Sequence, residues 1–221
     1  MYYFRYCMYL FVFIGYSVCN AGSYDDFFSA LKKDDPATIK MLLGRGFDPN
    51  TVNPAGEHGL IVAVRESSLK AILVLLDAPK INVEVRTLQD ESPLMLAALN
   101  GLSDLCRRLI ALGGDVNKPG WTALHYAATN GHLTTMELLL DEHAYIDATS
   151  PNGTTPLMMA AHYGTASAVE LLLAAGADPA LKNEQGLSAI DFAQGASRSD
   201  AKELIAAAIR GLQPKGNWLV K

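Results

Sequence analysis

The stretch Gly120–Leu140 reads GWTALHYAATNGHLTTMELLL: two short apolar bursts joined by Gly131 and His132. Related phrases lie on both sides of it. With Thr122 as an anchor, matching positions occur at Asp25, His58, Ser92, Thr155 and Ser188, so the successive intervals are 33, 34, 30, 33 and 33 residues. A period of that length is the span of one supersecondary unit made of two helices and a turn. The stretch therefore specifies a shape rather than a chemistry.

Each unit follows from local physical chemistry. The anchor is usually Ser, Thr or Asp, whose side-chain oxygen caps orphan amides at a helix start, and Pro93 and Pro156 follow at the first helical position, where the missing N–H costs nothing. The apolar positions of that first helix are Leu124, Tyr126, Ala127 and Ala128 in one unit and Leu157, Met159, Ala160 and Ala161 in the next, expected to be small enough for close stacking. Gly101, Gly131 and Gly164 end the first helix. A second apolar run follows, such as Met136–Leu140 or Val169–Leu173, and closes at Gly46, Gly113 or Gly176 in the left-handed conformation common at helix C-termini. Asp48–Asn50 and Asp115–Asn117 then turn the chain toward the next unit.

These phrases resemble ankyrin repeats. The family signature stands here as Thr122-Ala-Leu-His125, Ala127-Ala128, Gly131-His132 and Gly176-Ala-Asp178. The resemblance covers residues 22–211 as six units starting near 25, 58, 92, 122, 155 and 188, with degenerate ends. It implies an all-α solenoid of helix-turn-helix units with short hairpin fingers, whose fingers and first helices line a concave face.

The departures from the pattern are specific. The 34-residue interval carries one extra residue near Ala78-Pro79-Lys80, where the left-handed glycine is expected. The 30-residue interval lacks three residues between Asn117 and Gly120, which truncates the finger between the third and fourth units. His143 and Tyr145 replace the expected Gly and Asp of the fourth unit. The second unit is the most eroded, with His58-Gly59 for Thr-Pro and Ser67 for the glycine between its helices.

Composition narrows the function classes. The chain has 221 residues, half of them apolar, and a net charge of −5 with Lys and Arg scattered. That balance supports a packed core and leaves no basic footprint for nucleic acid. Residues 1–21 differ from the rest: Arg5, an apolar run from Tyr6 to Cys19, then Asn-Ala-Gly, the order of a secretory signal peptide cleaved after Ala21. The run is shorter than the roughly 20 apolar residues that span a bilayer, so no membrane span is expected after its removal. Periplasmic or secreted localisation follows as the expectation. Cys7 and Cys19 belong to this segment, leaving Cys106 alone in the mature chain, so no internal disulfide is expected. Residues 212–221, with Trp218, form a tail outside the repeats.

Candidate chemistries find no constellation. Among the five histidines, no HExxH or paired CxxC spacing occurs, so no metal is expected. His125, three residues after Thr122, fits the hydrogen-bond network of a helix start. Cys106 takes an apolar position of a second helix and is expected to be buried and inert. The acidic pairs Asp25-Asp26, Asp34-Asp35 and Asp141-Glu142 sit at helix ends or turns, where capping and solvation explain them. No phosphate loop, cofactor site or catalytic residue set is found, and a non-enzymatic role is expected.

The resemblance directs attention to positions the fold constrains least. Those before the capping residue and just before the inter-helix glycine face the concave side in this family. The partner-binding candidates are Leu99, Asn100, Trp121, Thr129, Asn130, His162 and Tyr163. Leu99, Trp121, His162 and Tyr163 among small polar neighbours resemble an interface core with a polar rim. The alternative is that Trp121 merely folds over its own shortened finger. The expectation is a monomeric protein-protein interaction scaffold; a second reading is an accessory or inhibitory protein that modulates a periplasmic or secreted enzyme.

Overall fold

The computed structural model describes residues 22–212. The expected signal segment and most of the expected tail lie outside the described residues. Among the described residues there are twelve helices and no strand: α1 (22–32), α2 (Pro36–Gly44), α3 (Gly59–Arg65), α4 (Leu69–Leu76), α5 (Pro93–Leu99), α6 (Ser103–Ala111), α7 (Ala123–Asn130), α8 (Leu133–Asp141), α9 (Pro156–His162), α10 (Ala166–Ala174), α11 (Ala189–Gly195) and α12 (Ser199–Leu212). The fold is all-α, as the periodicity predicts. No described helix is long and apolar enough to cross a membrane.

The described residues divide into two compact units, one up to Pro93 and one from Leu94. In the first, α2 and α3 each pack on α4. An aromatic cluster anchors α1: Phe27 lies edge-on to Phe28 at 5.3 Å and against Phe47 at 4.7 Å. One expectation fails here. Asp25 lies inside α1 and is exposed, so it caps no helix start; the Phe27–Phe28 face fixes the helix, which already runs from residue 22. Asp35 instead caps α2, its carboxylate accepting from the Ala37 and Thr38 amides.

In the second unit, α9 packs between α7 and α11, and α10 between α8 and α12. The first helices present small side chains at these contacts: Ala127, Ala128, Ala160, Ala161 and Ala193 are fully buried. The second helices contribute Leu109, Met136, Leu139, Val169 and Leu172. A helix pair alone would leave these faces in water, so most of their burial comes from the neighbouring pair.

Turn chemistry explains the irregular positions. The left-handed residue after a second helix is Gly46, Gly113 or Gly176 where the repeat is regular, but Lys80 (φ 66°) and His143 (φ 64°) where it is not. Between the two helices of a repeat the same conformation falls on Asp34, Ser67, Gly101, Gly131 and Ser197. Gly164 is different: a Cβ there would collide with the Ala128 carbonyl oxygen, so close helix approach, not φ, requires glycine.

Inter-repeat links recur in one form. Asn50 donates its amide to the Lys80 carbonyl (3.0 Å) and accepts from the Asn82 amide (2.8 Å). Asn117 does the same with His143 (2.8 Å) and Tyr145 (2.7 Å). At the next equivalent position stands Asp147, which accepts from the Asp178 amide (3.1 Å) and has no N–H to donate.

Candidate functional site

The site grows from the start of α7. Thr122 caps that helix in a reciprocal box with His125: the Thr122 amide (3.2 Å) and hydroxyl (2.9 Å) lie against His125 Nδ1. On the far side of the ring, Nε2 donates to the Thr154 carbonyl of the following repeat (2.9 Å). These partners fix a neutral imidazole protonated on Nε2. Burial holds the fully enclosed ring down at about 4, only partly offset by the carbonyls of Thr154 and Ala148. His125 is thus a structural pin, and its ring edge supports Trp121, 5.2 Å away in a T-shaped contact.

Trp121 is half-buried and, with Leu99, His125, Tyr126, Thr129 and Met159, lines an apolar depression of about 240 Å³. The depression is the size of one large side chain and carries no charged group. Tyr126 and Met159, expected in the stacking core, are half-buried and line this hollow instead, because the small alanines beside them already fill the helix contact. The i, i+3 spacing of Tyr126 and Thr129 was the available signal, since it puts both on one helix face.

The other candidates are placed as follows. Asn130 donates to the Leu99 carbonyl (2.8 Å), which also accepts from His132 Nε2 (2.9 Å). Asn100, just past the end of α5, donates to the Leu96 carbonyl of that helix (3.1 Å). Thr129 spends its hydroxyl on the His125 carbonyl (2.8 Å) while still lining the depression. The rings of His162 and Tyr163 lie against each other at 4.0 Å, tilted by 46°, with Tyr163 61% exposed and His162 Nδ1 buried without a hydrogen bond. Of the seven candidates, the structure therefore brings Leu99, Trp121 and Thr129 together in one hollow. His162 and Tyr163 form a separate pair, of which Tyr163 is the exposed member, and the two asparagines are tied to backbone.

The shortened finger beside Trp121 has an unexpected brace. In the fingers that precede α3, α5, α9 and α11, a backbone amide closes the hairpin onto the residue before the helix anchor: Asn53 onto Glu57, Thr87 onto Glu91, Ser150 onto Thr154 and Asn183 onto Leu187, at 2.8–3.0 Å. In the 118–121 finger, Lys118 Nζ reaches the Pro119 (3.0 Å) and Trp121 (3.4 Å) carbonyls, and Lys118 is buried. An ammonium replaces the missing amide. Beyond this finger opens a wider notch of about 690 Å³, walled by residues 117–120 and 145–149.

Other reactive groups stay out of reach. Cys106 is fully buried and its thiol is pushed up to about 12 by burial. Among the described residues no cluster of His, Cys, Asp and Glu is arranged to hold a metal ion.

Comparison with known proteins agrees with this geometry. A chain in the structure of a predatory endopeptidase from Bdellovibrio bacteriovorus in complex with an immunity protein superposes with a TM-score of 0.72 and 29% identity, over 82% of this chain and 97% of that one. An ankyrin repeat domain from Acinetobacter baumannii superposes with a TM-score of 0.71 and 26% identity, over 82% and 96%. The NF-kappa-B p105 subunit of Gallus gallus is 33% identical over 190 residues, which are 82% of this chain but only 19% of that protein. The family model for ankyrin repeats in three copies matches residues 27–119, 79–150 and 94–183. With the repeat period, the capped first helices and these matches in agreement, the chain belongs to the ankyrin repeat family.

Proposed function

We propose that this chain is an exported, non-enzymatic binding module that takes a protein partner on the face bearing Trp121. Ankyrin repeats mediate protein-protein interaction, and the observation that carries the finer reading is the uncharged depression under the shortened finger. A half-exposed Trp held by a buried, fully bonded His125 is a rigid anchor of the kind that dominates interfaces. Export is supported by the apolar run after Arg5 and by Ala21 as a cleavage site. A second reading, an accessory or inhibitory protein that restrains a periplasmic or secreted enzyme, is favoured by the likeness to a chain of a complex between an endopeptidase and an immunity protein.

The test uses the mature chain as bait in the exported fraction of its native host, followed by titration calorimetry with the captured protein. Trp121→Ala is expected to weaken binding at least tenfold, about 1.4 kcal/mol, while the melting temperature changes little. Unchanged affinity with a collapsed melting temperature would make Trp121 a packing residue. An enzyme whose rate changes on binding would select the second reading. Soluble cytoplasmic protein that retains Met1 would remove export from the proposal.

A further inference from the structure

The notch beyond the shortened finger holds two places where the fourth repeat lacks hydrogen bonds that other repeats make. At the first, Asp48, Asp115 and Asp178 each accept the amide two residues on, at 2.8–2.9 Å, whereas Tyr145 in the same register cannot. At the second, Asn50 and Asn117 each make a two-way link to the next repeat, whereas Asp147 makes only its accepting half. Both departures forgo stabilising hydrogen bonds, and both line the same 690 Å³ space. Broken local rules that coincide in one cavity mark a functional site.

What they place there is specific. Tyr145 is 68% exposed, an aromatic ring offered to solvent. Asp147 is half-buried, and its carboxylate accepts only the single Asp178 amide, leaving lone pairs unused. Burial raises its carboxyl above the usual range, the Asp178 amide lowers it again in part, and the Asp178 carboxylate raises it further. The cation among the lining residues, Lys118, is occupied by the Pro119 and Trp121 carbonyls. An exposed ring beside a carboxylate that lacks a counter-ion is the chemistry that recognises a guanidinium or ammonium. We propose that the notch formed by the shortened finger and the Tyr145–Thr149 loop receives an arginine or lysine side chain of the partner protein. This rests on the reading of the chain as a protein-binding module, and it adds a charged contact to the apolar one at Trp121.

The experiment titrates the full isotope-labelled chain with N-acetyl-arginine methylamide and follows backbone amides by NMR. Saturable shifts are expected at Asp178 and at Tyr145–Ala148, with a Kd on the order of 10 mM for one exposed ring contact and one ion pair. The neutral norleucine derivative should give none. Asp147→Asn should abolish saturation while folding at least as well as the parent, since Asn at Asn50 and Asn117 makes both inter-repeat bonds. Absence of saturation, equal shifts with norleucine, or unchanged binding by Asp147→Asn each overturn the proposal. Because this titration contains no protein partner, its failure is separable from failure of Trp121→Ala to weaken capture.

Discussion

The buried imidazole at position 125 makes a quantitative demand on stability as a function of pH. In the unfolded chain a histidine titrates near 6.5; in the fold, burial holds His125 at about 4. The folded state therefore disfavours the protonated form. Its stability is fully present above pH 6.5 and is lost as pH falls from there toward 4. Linkage with these two values removes about 2 kcal/mol between pH 7 and pH 5, and about 3 kcal/mol over the whole window. The ring has no exposed surface, so solvent screening does not reduce the figure. Equilibrium urea unfolding at pH 7 and pH 5 measures it. The control is His125→Gln, which cannot titrate. Its loss of the Thr122 cap and the Thr154 bond should cost about 1–3 kcal/mol at pH 7. Between pH 7 and pH 5, however, it should lose about 2 kcal/mol less than the parent. The other histidines are present in both proteins and cancel. If parent and variant lose the same stability across that interval, the fold does not hold His125 below its unfolded value and burial is not acting on the ring as argued.

Two further outcomes test the packing. Leu139→Ala, at a fully buried position of α8, should lower unfolding free energy in urea by about 2–5 kcal/mol; a loss below about 0.5 kcal/mol would mean that the core face of α8 is misassigned. Cys106, with its thiol pushed up to about 12, should resist iodoacetamide at pH 8 in native protein and react fully in urea, as intact mass reports. Modification of the folded protein at the rate of a free thiol would contradict its burial.

The repeat period made most of the fold legible because the residues that mark it act locally. Thr122, Thr155 and Ser188 sit where a helix must be capped, and each does so in the structure. Asp25 matched the period without the role, since capping needs a non-helical residue and α1 had already begun. The candidate site was legible in part. Residue spacing placed Leu99, Trp121 and Thr129 on one face, but whether a side chain fills a helix contact or lines a hollow depends on its neighbours' volumes. That is why Tyr126 and Met159 were read as core. Lys118 was harder still: nothing in a scattered cation announces that its ammonium will stand in for a hairpin amide.

The links between neighbouring repeats share an economy that bears on how such chains change. His125 reaches the carbonyl of Thr154, His132 and Asn130 that of Leu99, Asn117 that of His143, and Arg198 that of Gly164. In every case one side chain grips another repeat's main chain, whose chemistry is the same whatever residue stands there. These hydrogen bonds therefore survive the duplication or exchange of a repeat, provided its turn geometry and its apolar contact face are kept. Modules joined in this way leave the side chains at Trp121 and Tyr145 free to vary while the joints stay standard.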